Sequence, residues 1–305
     1  MKRKLMKSGE AYLMSLPIDW VRKHELSQGD ELEVEKRGNE LRIGHAKEKS
    51  KKMFSIKLNG NKNQIINNIV AAYRKGADEI ELTYTPEIVD REGNTVKTGK
   101  LIQETVNELI GIRIVEQKPN FCLIQDVTKT ANDSFDAILK RMFFLVLSMS
   151  EESMKALENK DKKALEEIQL MFYNVRQFTN YALRLLNKHE HADYTKTNHM
   201  YAIVNYLNEM ADSFRHIAKH YSTPNIRIPN DIFAMYKDLN RLVRAMYETF
   251  YDLKEEKMAE FFEMRDKVYL EYRKVKPSNK LDGVLENIGY VRQMITNLMR
   301  ERMWM

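Results

Sequence analysis

From residue 133 to the C terminus, apolar residues recur in steps of three and four, which leaves this half of the chain little freedom but to form long amphipathic helices. Phe135, Ile138, Leu139, Met142, Phe143, Val146 and Met149 make the first stripe. Leu165, Ile168, Phe172, Val175 and Phe178 make the second. Met200, Ile203, Val204, Leu207, Met210, Ala211, Phe214 and Ile217 make the third. Pro224 and Pro229 then interrupt the chain, and further stripes follow over Ile232–Leu253, Met258–Tyr272 and Leu281–Met299. Capping residues fall at the borders: Asp133-Ser134, Asn159 to Asp161, Asn198, Asn230 and Ser278-Asn279. With only 11 Gly and 6 Pro in 305 residues, few positions break a helix. The expectation is an all-α bundle over 133–305, three helices, a proline-bounded joint and three helices again. The two groups, 133–222 and 230–305, are each about 80 residues, a size that suggests an internal duplication.

The middle of the chain has a different period. Phe54–Leu58 and Ile80–Tyr84 read as strands, Gln64–Lys75 as a helix ended by Gly76, and Leu101–Ile110 as a second helix. Asp90–Asn94 is rich in turn residues, and Ile112–Glu116 with Phe121–Gln125 form a hairpin around Lys118-Pro119-Asn120. Residues 53–126 therefore predict a small βαβαββ domain. It offers no phosphate-cradling loop, because Gly76 and Gly99 stand alone.

The first 46 residues form a third segment, divided from 53–126 by the linker of residues 46–52. A strand at Lys2–Lys7 turns at Ser8-Gly9 into a second, Ala11–Leu16. Pro17 stops it and suits the first turn of a helix, Ile18 to about Leu26, ended near Gly29-Asp30. Glu31–Lys36 and Glu40–Ile43 then pair around Arg37-Gly38-Asn39. A ββαββ piece below roughly 60 residues buries too little surface to be stable alone. It has no cysteine or metal cluster to help, so a second copy of itself is the expected partner.

Charge in this segment is sorted. Lys2, Arg3, Lys4, Lys7, Arg22 and Lys23 face only Glu10 and Asp19 in the first 24 residues, and Glu25, Asp30, Glu31, Glu33 and Glu35 follow. A basic edge on a symmetric dimer suits a polyanionic backbone. Lysines also guard exposed strand edges against pairing, so the pattern alone leaves both readings open. The whole chain carries a formal charge of +6 and a pI near 9.0, compatible with nucleic acid but not diagnostic of it. The single cysteine, Cys122, rules out an internal disulfide and lies in an apolar strand, where packing is the expected role. The densest apolar run, Met142–Met149, is too short to span a bilayer, and no secretory signal follows the basic start. A cytoplasmic protein without membrane insertion is expected.

Two resemblances join these observations. The run Tyr12-Leu13-Met14-Ser15-Leu16-Pro17-Ile18-Asp19-Trp20-Val21-Arg22-Lys23, followed by Leu26-Ser27-Gln28-Gly29-Asp30-Glu31-Leu32, resembles the swapped-hairpin module of the SpoVT/AbrB family. The resemblance implies an intertwined homodimer whose basic residues contact double-stranded DNA, here Lys2, Arg3, Lys4, Lys7, Arg22 and Lys23. Glu10 and Val21 depart from it, standing where some members carry bases. Further on, Tyr206-Leu207-Asn208-Glu209-Met210-Ala211-Asp212-Ser213-Phe214 and Val284-Leu285-Glu286-Asn287-Ile288-Gly289-Tyr290-Val291 resemble the "L-E-R-I-[GA]-D-H" segment of PhoU repeats. The order of an AbrB-type module, an α/β connector and a PhoU-like bundle is similar to that of phosphate-uptake regulators of archaeal type.

PhoU proteins also imply carboxylates four apart that hold iron or another divalent metal. Here Asn208 stands opposite Asp212 and Tyr290 replaces the acid after Glu286, so half of each pair is gone. Asp212, His216 and His220 share one helix face and, with His199, His189 or His191, could hold a borderline metal. Histidines near a helix end equally suit the negative end of the dipole. No acid/base or nucleophile set is complete, so no enzyme is expected and no cofactor is firmly indicated. The fold class expected is multidomain, α+β and all-α: an AbrB-like β module (1–46), a small α/β domain (53–126) and a PhoU-like six-helix bundle (133–305). The function expected is a DNA-binding transcriptional regulator with a PhoU-like sensory or docking domain in phosphate homeostasis. The alternative is a PhoU-type adaptor docking on a phosphate-transport or signalling protein, with the first module serving only to dimerise.

Overall fold

The computed structural model describes residues 2–37, 40–45, 51–128, 134–188, 193–223, 226–275 and 282–305. The expected turn at Gly38-Asn39, the linker residues 46–50, the cap Asp133, His189, His191, Pro224, Ser278-Asn279 and Leu281 lie outside them. The chain divides into two compact units, Met1–Ser50 and Lys51–Met305.

The first unit holds β1 (Leu5–Ser8), β2 (Ala11–Met14), α1 (Ile18–Lys23), β3 (Leu32–Arg37) and β4 (Glu40–His45). β1 and β2 pair antiparallel from Leu5↔Met14 to Ser8↔Ala11. Gly9, at φ +62°, takes the left-handed conformation that the first position of a two-residue hairpin loop demands. Pro17 precedes α1, its carbonyl accepting from the Val21 N–H at 3.0 Å. The helix stops at Lys23, short of the expected Leu26. Glu25 swings to φ +52°, and the Leu26 N–H returns to the Val21 carbonyl while the Glu25 N–H bonds that of Arg22. These two bonds satisfy the last carbonyls and close the helix as a Schellman turn. After it, Gly29 at φ +98° lets Asp30 fold back, its carboxylate accepting from the Ser27 N–H at 2.7 Å.

In the second unit, β5 (Met53–Leu58), β6 (Glu79–Tyr84), β9 (Ile112–Lys118) and β10 (Phe121–Asp126) form one mixed sheet in the order β5-β6-β10-β9. β5 and β6 run parallel, joined by α2 (Lys62–Arg74); the other pairs are antiparallel. The turn expected at Asp90–Asn94 is the tip of a small hairpin, β7 (Glu87–Val89) and β8 (Thr95–Lys97). The Asp90 carboxylate accepts from the Glu92 and Asn94 N–H groups, so the turn is closed locally. α3 (Thr98–Asn107) follows. Ile65, Ile69, Tyr73, Leu101, Ile102 and Val106 bury one face of these helices together with Leu58, Ile80, Leu82, Cys122 and Ile124 of the sheet. Burial pushes the Cys122 thiol up to about 11 and leaves it a packing residue.

The six stripes become α4 (Phe135–Asn159), α5 (Lys162–Asn187), α6 (Thr197–Ser222), α7 (Asn230–Tyr251), α8 (Glu255–Lys274) and α9 (Asp282–Trp304). Ser134 and Asp161 cap α4 and α5 as expected, accepting from the N–H groups of Ala137 and Ala164. Asn198 and Asn230 do not cap: both lie inside their helices, which start from Lys196 and Pro229 without a side-chain bond. At α6, a short 3₁₀ turn over Tyr194–Lys196, closed by the Asp193 carboxylate on the Thr195 N–H, starts the winding before Asn198 is reached. α4 packs on α5, α6 and α7, while α9 packs on α6, α7 and α8. Buried hydroxyls tie α4 to α7: Ser153 to Tyr236 at 2.5 Å, and Ser150 accepting from Asn240 at 2.8 Å. Gly289 is the close-approach point of α9 on α8, since a Cβ there would lie 2.9 Å from the Tyr272 hydroxyl.

One buried cation fastens the sheet layer to the helices. Arg184 of α5, 3 % exposed, donates to the carbonyls of Tyr73 and Ala77 and to Asp126 at 2.6 Å, with its guanidinium over the Tyr73 ring. Lys188, one turn on, reaches Asp126 and Asp78 at 2.8 Å each. Two cations meet two carboxylates, so the cluster is balanced in charge and richly bonded, as burial requires.

Candidate functional site

The residues expected to meet a polyanion are on the first unit, and all of them are open. Lys2, Arg3, Lys4 and Lys7 are exposed at and before β1, and Arg22 and Lys23 are exposed on the last turn of α1. None of the six is engaged in an ion pair among the described residues. Arg22 and Lys23 also sit where the carbonyl end of a helix favours cations. Glu10 is exposed in the hairpin loop beside them.

The same unit lacks an interior. Not one described side chain of residues 2–45 is buried. In β1–β2, directly paired residues share a face, so Leu5, Met14 and Tyr12 lie on one side and Met6 and Leu13 on the other. Leu5 is 67 % exposed, Tyr12 66 % and Leu13 52 %. Both faces of this hairpin thus carry uncovered apolar side chains, with Lys7 opposite Tyr12 on the first and Ser8 opposite Ala11 on the second. In β3–β4, Val34 pairs with Ile43, two residues from Leu32 and Leu41, which gives one apolar face; Val34 and Leu41 are again largely exposed. The sequence named the basic residues but not these apolar ones. The failure of strict alternation in Leu5-Met6 and Tyr12-Leu13-Met14 was the available signal.

The metal candidates do not assemble. Asp212 accepts from Arg215 at 2.8 Å, and His216 Nδ1 lies 2.9 Å from the Asp212 carbonyl and 3.4 Å from its carboxylate. His220 has its Nε2 buried without a partner, and burial lowers its pKa. His199 pairs with Glu301 at 2.7 Å, Asn208 accepts from Thr179, Glu286 is exposed and Tyr290 faces solvent. Among the described residues, no three His, Cys, Asp or Glu side chains gather into a set able to hold a metal ion. Asp212, His216, His220 and Glu286 thus complete, among the described residues, neither the carboxylate pairs that the resemblance implied nor the separate histidine set, whose His189 and His191 lie outside them. The physical reason is local: Arg215 pairs with Asp212, the Asn208 amide stands where its partner acid is expected, and the Tyr290 phenol replaces the acid after Glu286.

No helix among the described residues is long and apolar enough to cross a membrane. Comparison with known proteins gives two matches. Residues 5–52 match the model of the MazE family, described as antidote-toxin recognition MazE, bacterial antitoxin. Residues 139–220, which take in most of α4, all of α5 and most of α6, match the PhoU domain. No curated protein matches the chain. An N-terminal MazE/AbrB-type module, all open hairpins and unpaired cations, is thus fused to a helical region that carries a PhoU domain.

Proposed function

We propose that this protein is a homodimeric, DNA-binding transcriptional regulator, cytoplasmic, whose PhoU domain senses or docks in phosphate homeostasis. In this reading residues 1–46 dimerise and bind, 53–126 connect, and 133–305 report. The observation that carries it is the pairing of two properties on one small unit: six cations with no ion pair among the described residues, and two hairpins with uncovered apolar side chains. A second copy would cover the apolar faces and double the cations on one surface. Lys2, Arg3, Lys4, Lys7, Arg22 and Lys23 from both protomers would then meet backbone phosphates, which fix position and carry little sequence information. It acts as a regulator, not an enzyme.

The test is duplex DNA affinity as a function of salt. Counterion release gives a slope near 0.9 per phosphate contact, so affinity should fall steeply between low and moderate salt. The variant Lys2→Ala/Arg3→Ala/Lys4→Ala removes six charges from a dimer and should weaken binding at least tenfold while flattening that slope. A flat salt response in the unaltered protein would remove the reading. Exposed Glu10 in the basic hairpin favours the adaptor reading, in which the first unit only dimerises. That reading is selected if the triple variant keeps a transporter or kinase partner and the parent never binds DNA.

A further inference from the structure

A polar cleft between α2 and α5 adjoins the Arg184 cluster, one turn along α5, and has no part in the function proposed above. On α2, Asn63, Asn67, Val70 and Arg74 fall at steps of three and four and so share a face, with Ile66 beside them. On α5, Arg176 and Asn180 are one turn apart. Together these residues line a cleft of about 370 Å³. Two guanidiniums and three amides line it, and no carboxylate does.

The arginines differ in how they are held. Asn180, 3 % exposed, accepts from Arg74 Nε at 2.8 Å, which orients the guanidinium and leaves both terminal nitrogens without a partner among the described residues. No carboxylate within the described residues forms an ion pair with Arg74. Arg176 is shared: one terminal nitrogen reaches Glu108 at 2.9 Å, an exposed pair at the rim. Burial lowers the Arg74 pKa, the Tyr201 phenol opposes that and the like charge of Arg176 adds to it, although a guanidinium remains charged at any ordinary pH. Only one carboxylate, Glu108 on Arg176, offsets these two cations, so among the described residues Arg74 keeps an uncompensated charge that a bound oxyanion would neutralise. A fork of planar N–H donors suits the oxygens of a phosphoryl group. Ile66 and Val70 add an apolar strip, and the volume lies at the lower end for small-molecule sites.

We propose that this cleft binds a small phosphorylated organic molecule. Its phosphoryl group sits between Arg74 and Arg176, and the remainder lies over Ile66 and Val70 within reach of the Asn63 and Asn67 amides. This goes beyond the DNA reading and stands without it, since no residue of the first unit takes part.

The experiment is calorimetric titration of the full chain with AMP, glucose 6-phosphate and glycerol 3-phosphate at fixed ionic strength, with adenosine, glucose and inorganic phosphate in parallel. Saturable binding of at least one phosphorylated probe is expected, at least tenfold tighter than its unphosphorylated counterpart and than inorganic phosphate. Arg74→Gln should weaken it tenfold or more. Because that change also removes the bond to Asn180, Asn67→Asp provides the second test: it puts a negative charge at the exposed wall without disturbing a buried bond, and should weaken binding similarly. Arg91→Gln, in the β7–β8 turn, should leave affinity unchanged. The proposal is overturned if none of the three probes binds, if inorganic phosphate binds as tightly as the best of them, or if binding survives both Arg74→Gln and Asn67→Asp.

Discussion

The two units of this chain solve the same problem in opposite ways. Lys51–Met305 closes its own interior, with buried side chains from Leu58 to Met299 and even an arginine sealed among carbonyls and carboxylates. Met1–Ser50 leaves Leu5, Met6, Tyr12, Leu13, Met14 and Leu41 in water. At roughly 25 cal/mol per Å² of apolar surface, a hairpin exposed on both faces forgoes several kcal/mol that a partner could return. Self-sufficiency and dependence are therefore written into adjacent stretches of one sequence, and the dependent stretch is the one whose six exposed basic residues form no ion pair among the described residues.

The largest expected effect tests the self-sufficient side. Arg184→Met leaves Asp126 with Lys188 and Thr128 only and removes the side-chain donor from the Tyr73 and Ala77 carbonyls, the former keeping the Gly76 N–H, so the second unit should lose about 3–5 kcal/mol, read from denaturant unfolding. A loss below about 1 kcal/mol would mean that the cluster is incidental to the joint. Next comes the dependent side. If the first unit dimerises as proposed, Leu13→Glu places a carboxylate on the uncovered hairpin and should raise the dissociation constant of that dimer about 100-fold by sedimentation equilibrium, equivalent to about 2.7 kcal/mol. The unfolding midpoint of the second unit should not move. An unchanged dimer would erase the contrast between the units.

A pH titration sharpens the comparison. Burial alone would raise the Asp126 carboxyl, but hydrogen bonds from Lys188, Thr128 and Arg184 prevail and bring it down to about 2 from 3.8. A depressed carboxylate stabilises the fold above its unfolded value, and that contribution drains as pH falls through the folded one. Stability of the second unit should thus drop by roughly 2 kcal/mol between pH 4 and pH 2 through this group, and Asp126→Asn should lack that slope. The smallest effect is at Gly289→Ala. Helix propensity favours alanine by about 1 kcal/mol, yet its Cβ would meet the Tyr272 ring and hydroxyl at 2.9–3.2 Å. A net destabilisation of up to about 1 kcal/mol is expected by thermal unfolding, and a gain would show that α8 gives way.

Much of the fold was legible because local pattern and local chemistry agree. The stripe Ile203, Val204, Leu207, Met210, Ala211, Phe214 and Ile217 is fully buried in α6, and Gly76 ends α2 at φ +81°. Where a neighbour intervenes, the reading slipped. Asn198 looks like a cap, but the Asp193 turn begins the winding before it; Glu25 gave no glycine signal, yet it ends α1. For the candidate interface, the basic residues were legible as charges and the apolar hairpin faces were not, because each strand had to be paired before its two sides could be compared.

The 3.6-residue and two-residue periods, the capping side chains and the segregation of charge belong to the sequence itself, because each arises within a turn or two of backbone. The tertiary structure alone decided which distant groups meet. Arg184 finds Asp126 from 58 residues away and the Tyr73 carbonyl from 111, and Arg74 comes to share a cleft with Arg176. Such meetings depend on how whole helices and sheets lie against each other, a choice set by burial summed over many residues that no short stretch of sequence contains.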